Sequence, residues 1–237
     1  MQPPVEPPLL LPQANSFTGP ERDAVYHAIA SRRDVRRGFT DKPLPDDLLQ
    51  RILAAAHSAP SVGLMQPSRF ILIRDLAIRT AIHNIFEQAN TTAAAIYTGK
   101  QAEQYAALKL EGILEAPQNL CVVCDPHNAR GHQLGRQTMP ETAAYSTVCA
   151  IQNLWLAARA EGVGVGWVSI LDPARLRSVL HIPDYVLPVA YLCLGYVDSF
   201  ATEPELERSG WEKRIALDTA VCYDTYSDAN DSEGTTS

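Results

Sequence analysis

Glu161-Gly162-Val163-Gly164-Val165-Gly166-Trp167-Val168-Ser169 sets three glycines at alternate positions, after a helix-forming run and at the entry to a strand-forming one. A dinucleotide fingerprint needs G-x-G-x-x-G after a strand and before a helix. The order here is the reverse, which excludes a Rossmann site. Alternate glycines lack the Cβ atoms that hold a backbone away from its neighbours, so the run suits close approach to a flat ligand. Gly166 is therefore a candidate binding residue, and Ser169 closes the run with a hydroxyl able to donate one hydrogen bond.

Upstream of this run, Pro140 to Glu161 is Ala-rich and reads as a long helix ended by Gly162. Ala143, Val148, Ile151, Leu154 and Trp155 spread apolar surface around much of its circumference, so the helix is expected to be buried on most sides. That suits a dimer interface as well as a core, and suits equally the central helix of a monomer. Downstream, Pro173 to Leu180 reads as a short helix and Pro188 to Val197 as a strand. Earlier in the chain, Thr18 caps a helix running to about Ser31, with Val25, Ala28 and Ile29 at helical spacing. Leu48 to His57 and Asp75 to Ala95 read as further helices, as does Tyr105 to Ile113, ending before Pro117. Phe70 to Ile73, Leu120 to Cys124 and Val163 to Ile170 read as strands. Few strands, many helices, no repeat and no long linker imply an α+β or mixed α/β plan.

The 237 residues are 46% apolar and 20% charged, with Lys plus Arg at 20 and Asp plus Glu at 27, so the net charge is −7. That composition excludes a disordered chain. An acidic balance disfavours nucleic acid as a partner, which would need a basic face. No apolar run approaches the roughly 20 residues of a membrane span. Met1 to Pro12 lacks a basic n-region, and the expectation is a cytoplasmic protein with no membrane partner. Residues 1–16, rich in Pro and Leu, are expected to be a flexible arm. Residues 227–237, small and polar, are expected to be a disordered tail.

Five cysteines, an odd and sparse set, do not form a disulfide framework. Cys121-x-x-Cys124 with His127 and His132 superficially resembles a zinc knuckle. The apolar strand that holds both cysteines would point residues three apart to opposite faces, so no metal is expected there.

Two more stretches hold groups suited to chemistry. Ser31-Arg32-Arg33-Asp34-Val35-Arg36-Arg37-Gly38-Phe39 places four arginines in six residues of an acidic chain. Arginine forks bind phosphate bidentately, although a solvated basic surface reads the same way. Asp34 inside that cluster is either a salt-bridge partner or a positioned acid or base. Ala59-Pro60-Ser61-Val62-Gly63-Leu64-Met65-Gln66-Pro67-Ser68-Arg69-Phe70 is a helix-to-strand loop whose polar groups suit a heterocycle or ribityl chain. There is no nucleophile elbow, Ser-His-Asp order or P-loop.

Together these stretches resemble the FMN-dependent nitroreductase superfamily. Arg33-x-x-Arg36-x-x-Phe39 is similar to its phosphate motif, and Gln66-Pro67-Ser68-Arg69-Phe70 to its Q-P-W-x-F loop, with Ser68 in place of Trp. Asp34 stands where ordinary members commonly have Ser. Arg32-Arg33-Asp34-Val35-Arg36, Lys109-Leu110-Glu111-Gly112-Ile113 with Glu115-Ala116-Pro117, Tyr145 to Trp155 and Gly162 to Ser169 resemble one branch, the 5,6-dimethylbenzimidazole synthase (BluB-type) family. The resemblance covers about residues 17–226.

It implies a single FMN-binding domain over 17–226 with a nitroreductase-like α+β fold: a central mixed, mainly antiparallel sheet flanked by helices, in an interlocked homodimer with flavin at the subunit interface. It implies O2-dependent fragmentation of reduced FMN to 5,6-dimethylbenzimidazole, the lower ligand of vitamin B12, and erythrose 4-phosphate. A separate NAD(P)H flavin reductase supplies the reduced FMN, and no metal takes part. Asp34 and Ser169 match the family's essential residues: Asp34 would shuttle protons, kept ionised by its arginines, and Ser169 would position the reacting oxygen. Arg32, Arg33 and Arg36 would hold the phosphate and ribityl end, Asp34 and Val35 would bind the cofactor beside them, and Arg214 is a further phosphate candidate. Pro60, Ser61 and Gln66 would lie near the ring, and residues 90–105 would form a lid. The alternatives are an NAD(P)H-dependent nitroreductase or flavin reductase, and a flavin-binding protein without a reaction of its own.

Overall fold

The computed structural model describes residues 16–227, so the expected arm and tail lie outside the described residues except for their innermost positions. Its contacts group into two compact units, one ending at Thr202 and one beginning at Glu203.

The first unit is organised around four strands: β1 (Ser68–Ile73), β2 (Gln118–Cys124), β3 (Val163–Val168) and β4 (Leu187–Tyr196). Their order is β1-β2-β4-β3, and each neighbouring pair is antiparallel. The mixed character expected of the sheet shrinks to one isolated parallel bridge, Asp34 to Val165.

Strand β2 is buried along its whole length, as its unbroken apolar run requires when both faces of a sheet are covered. Its alternate residues enter different layers. Leu120 and Val122 pack with Ile52 and Ala56 of α2 (Asp46–His57) and with Ile151, Leu154 and Ala158 of α5 (Thr142–Ala160). Cys121 and Val123 face the other layer, with Ile82 and Phe86 of α3 (Leu76–Ala94) and Leu176 of α6 (Pro173–Leu180). The sheet thus lies between two helical layers.

Helix starts follow their side chains. Asp75 accepts from Ala77 N–H and Asp172 from Ala174 and Arg175 N–H, capping α3 and α6. Helix α1 (Gly19–Ser31) opens where Thr18 Oγ1 and Thr18 N–H both donate to the Glu21 carboxylate, at 2.6 and 2.8 Å, the hydroxyl first among the causes that lower the Glu21 pKa.

One expected helix is absent. Helix α4 (Gly99–Ala107) stops before Leu108, and residues 108–113 are not helical. The apolar spacing of Leu108, Leu110 and Ile113 mimics a helix, but a long-range partner organises the segment instead. The buried Arg79 guanidinium on α3 donates to the carbonyls of Ile113, Leu114 and Ala116 at 2.6–3.1 Å. Glu111, also buried, accepts from Ile113 N–H at 2.6 Å and pairs with Lys109.

The second unit holds the short helix α7 (Glu205–Arg208) and a 3-10 turn at Asp218–Ala220. No helix among the described residues is long and apolar enough to cross a membrane.

Candidate active site

The end of α1 is fixed by α5. Trp155 Nε1 donates to the Arg33 carbonyl at 3.1 Å and Arg159 Nε to the Ser31 carbonyl at 3.2 Å. From there the chain runs beside β3, with Val35 N–H on the Val165 carbonyl at 2.9 Å. This places the Asp34 side chain at the β3 backbone. Its Oδ1 accepts from Trp167 N–H at 2.9 Å, and its Oδ2 pairs with the Arg36 guanidinium.

Partial burial in this crevice pushes the Asp34 pKa up, against the lowering by Arg36, the Trp167 amide and Arg32. Desolvation thus outweighs the arginines in setting the direction of the shift. A carboxyl with a raised pKa is better suited to picking up and releasing a proton than one locked as a carboxylate.

Of the three glycines in 161–169, Gly162 serves a turn and the other two serve the chain's own packing. Gly162, at φ +75°, ends α5 in the left-handed conformation. A Cβ on Gly164 would lie 2.7 Å from Val197 Cγ1, and one on Gly166 only 2.0 Å from the Val35 carbonyl oxygen. The room expected for a flat ligand is filled by Val197 and Val35 at Gly164 and by Val35 at Gly166. Gly166 brings the Asp34 segment into reach of the Trp167 amide.

The arginines divide. Arg32 lies over the Trp155 ring at 4.9 Å. Arg33 turns onto backbone, donating to the carbonyls of Ala30 and Arg32 at 2.8 and 2.7 Å and to that of Thr202. Arg36 holds Asp34. The Nε atoms of Arg33 and Arg36 are buried donors without an acceptor. Buried guanidinium N–H groups left unmet in an acidic chain fit an anionic ligand such as the phosphate of FMN.

Ser169, just past β3, is exposed at the mouth of a cavity of about 220 Å³. Leu171, Leu176, Val189 and Tyr191 make its walls largely apolar. Trp167 joins the two candidate catalytic residues: its amide holds Asp34, and it lines the Ser169 cavity.

Pro60, Ser61 and Gln66 form a second cluster, around a small cavity between the end of α2 and the start of α5 that His57, Ser146 and Ala150 also line. Ser61 Oγ accepts from Gln66 N–H, and Ser146 Oγ from Val62 N–H, both at 3.0 Å. Leu64 and Gln66 adopt φ of +53° and +49°, a conformation that non-glycine residues rarely take. Over the expected lid, Tyr105 donates to Asn90 Oδ1 at 2.7 Å and stacks on Tyr97 at 4.8 Å, joining α3 to α4. Arg214 lies in the second unit and is exposed.

Sequence reasoning missed the amide of Trp167, the indole of Trp155 and the buried Arg79. All three act on residues far away in the chain, which no local spacing announces. Cys121 and Cys124 face different core clusters, and burial pushes the Cys121 thiol up to about 12. Among the described residues no group of three His, Cys, Asp or Glu side chains could hold a metal ion.

The nitroreductase family model matches residues 29–196. A 5,6-dimethylbenzimidazole synthase of Rhodospirillum rubrum is 47% identical over 193 residues, covering 81% of this chain and 91% of that protein. The synthase of Rhodobacter capsulatus is 41% identical over 200 residues, covering 84% of this chain and 96% of that one. Among solved structures, an iodotyrosine deiodinase bound to FMN and 3-iodo-L-tyrosine is 21% identical, with a TM-score of 0.67, and covers 85% of this chain and 100% of that chain; at this identity it attests the fold alone. The chain belongs to the nitroreductase family and, within it, to the 5,6-dimethylbenzimidazole synthases.

Proposed function

We propose that this chain is an oxygen-using oxidoreductase that fragments reduced FMN to 5,6-dimethylbenzimidazole and erythrose 4-phosphate, a step of cobalamin biosynthesis. The observation that carries the reading is Asp34, a carboxyl held between the Trp167 amide and Arg36, with its pKa raised, in a chain 47% identical to a synthase of this product. Reduced FMN is both the bound flavin and the substrate, and supplies electrons to O2 and the dimethylbenzene ring to the product.

The chain's own residues do the rest. Arg32, Arg33 and Arg36 hold the phosphate and ribityl end, the last two through the Nε donors left without acceptors. Asp34 Oδ2 takes up and returns protons as ring bonds break, and its Oδ1 stays fixed on the Trp167 amide. Ser169, at the mouth of the apolar cavity, donates its hydroxyl proton to orient the reacting edge of the flavin. Ser61 and Gln66 approach the flavin from the second loop. The 90–105 segment excludes water and keeps reduced oxygen from escaping as hydrogen peroxide.

The assembly is a homodimer with flavin between subunits. Tyr26 and Ile29 on α1, and Tyr145 and Val148 on α5, expose apolar surface that suits a second copy of the chain. Reduced FMN comes from a separate NAD(P)H flavin reductase. Mixing the protein with chemically reduced FMN in air tests the reading: flavin absorbance is lost in proportion to protein and does not return. Complete return of the oxidised flavin spectrum would assign the chain to the intact-flavin alternatives.

A further inference from the structure

Four of the six described non-glycine residues with positive φ lie in two loops that dock on each other: Leu64 and Gln66 in one, His132 and Gln133 in the other. Such strain persists only where the surroundings over-determine it, and it gathers at functional sites. Facing glycines make the docking possible. A Cβ on Gly131 would lie 2.4 Å from the Gly63 carbonyl oxygen, and one on Gly63 would lie 3.0 Å from the Gly131 carbonyl oxygen.

The second loop grips the first through its backbone. Asn128 Nδ2 donates to the carbonyls of Met65 and Gln66 at 3.2 and 3.4 Å. Arg136 ties the loop to itself, donating to the carbonyls of Pro126 and Asn128 at 2.7 and 2.9 Å. At the tip, Arg130 Nη2 donates to Gln66 Oε1 at 3.1 Å, and Gln66 Nε2 meets His57 Nε2 at 3.3 Å.

An arginine can only donate, so its partner on Gln66 must be the amide oxygen. The amide nitrogen is thereby directed at His57, whose Nε2 then accepts, with the ring proton on Nδ1. An amide has two N–H groups and two lone pairs, and these contacts use one of each. The remaining donor and acceptor acquire a fixed polarity, which is what recognition of a ring edge carrying alternating donors and acceptors requires.

We propose that Arg130 is a positioning residue for flavin binding: it does not touch the flavin but sets which end of the Gln66 amide faces it, from a loop that Asn128 and Gly131 lock onto the Ser61–Gln66 turn. This rests on the reading of Gln66 as a flavin-contacting residue. The test is a double-mutant cycle on the dissociation constant for oxidised FMN, read by quenching of flavin fluorescence in the full chain. Gln66→Gly accepts the positive φ and removes the side chain, while Arg130→Met keeps bulk and removes the donors.

Arg130→Met is expected to weaken FMN binding about tenfold in the wild-type background and to have no further effect in Gln66→Gly. No weakening by Arg130→Met, where Gln66→Gly does weaken binding, would overturn the positioning role and leave the loop reading standing. Equal weakening in both backgrounds would also overturn it, because the guanidinium would then act without Gln66. An unchanged constant in Gln66→Gly would remove the loop from the flavin site, and the proposal with it.

Discussion

A Cβ placed on Gly166 would lie 2.0 Å from the carbonyl oxygen of Val35. That approach lets the Asp34 segment bridge to β3, with Val35 N–H on Val165 and the Asp34 carboxylate on the Trp167 amide. Gly166→Ala forces a methyl against backbone, and no rotamer change relieves it. The expected cost is about 3 kcal/mol, at the upper end for overpacking, seen as a lower midpoint in urea. Gly164→Ala meets only the side chains of Val197 and Val35 and should cost less.

Asp34→Asn keeps an oxygen for the Trp167 amide and removes the titrating group. It should bind FMN and return it intact on reoxidation, with the benzimidazole yield down at least a hundredfold by chromatography, the order of effect expected when a proton-transfer group is lost. The stability effect has a defined sign. The folded pKa of Asp34 lies above its ordinary 3.8, so the unfolded chain ionises first. Wild type therefore loses stability relative to Asp34→Asn as pH rises through 3.8, and the gap stops growing above the folded pKa. Denaturant midpoints of both proteins at pH values from 3 to 8 check this; a gap that narrows with rising pH would mean the arginines prevail over burial.

Arg79 gathers the carbonyls of Ile113, Leu114 and Ala116, the last of which also accepts from Asn119 Nδ2 at 3.4 Å. Arg79→Met leaves the Ile113 carbonyl buried without its donor and loosens the other two, and should cost about 3 kcal/mol. Amide hydrogen exchange should speed up first over residues 108–117.

Thiol labelling separates the core from the proposed dimer. Cys121, Cys124 and Cys193 are buried and burial raises all three pKa values, so they should stay unlabelled in the folded protein. Cys222 is exposed and should react. Cys149 is exposed on α5 in the single chain; in the dimer it should be shielded, and Val148→Glu should uncover it while shifting the protein to monomer on a sizing column.

The helices and strands were readable where periodicity and caps agree, as in α5 before Gly162 and in the unbroken apolar run of β2. The 108–113 stretch misled because apolar spacing is local and Arg79 is not. The same limit shaped the reading of the site. Alternate glycines are visible in the chain, but what fills their space is Val35 and Val197, and Asp34 meets Trp167 across 133 residues. The arginines beside Asp34 are visible in the chain, whereas the burial that sets the direction of its pKa shift exists only in the fold. The loop that grips Gln66 is built from turn residues that carry no pattern of their own.

In the proposed reaction FMN is consumed and its ring becomes the product. Reduced FMN isotopically labelled in its two ring methyl groups, mixed with the protein in air and followed by mass spectrometry, tests it directly. One labelled 5,6-dimethylbenzimidazole is expected for each flavin lost. Label retained in intact FMN after reoxidation would contradict it.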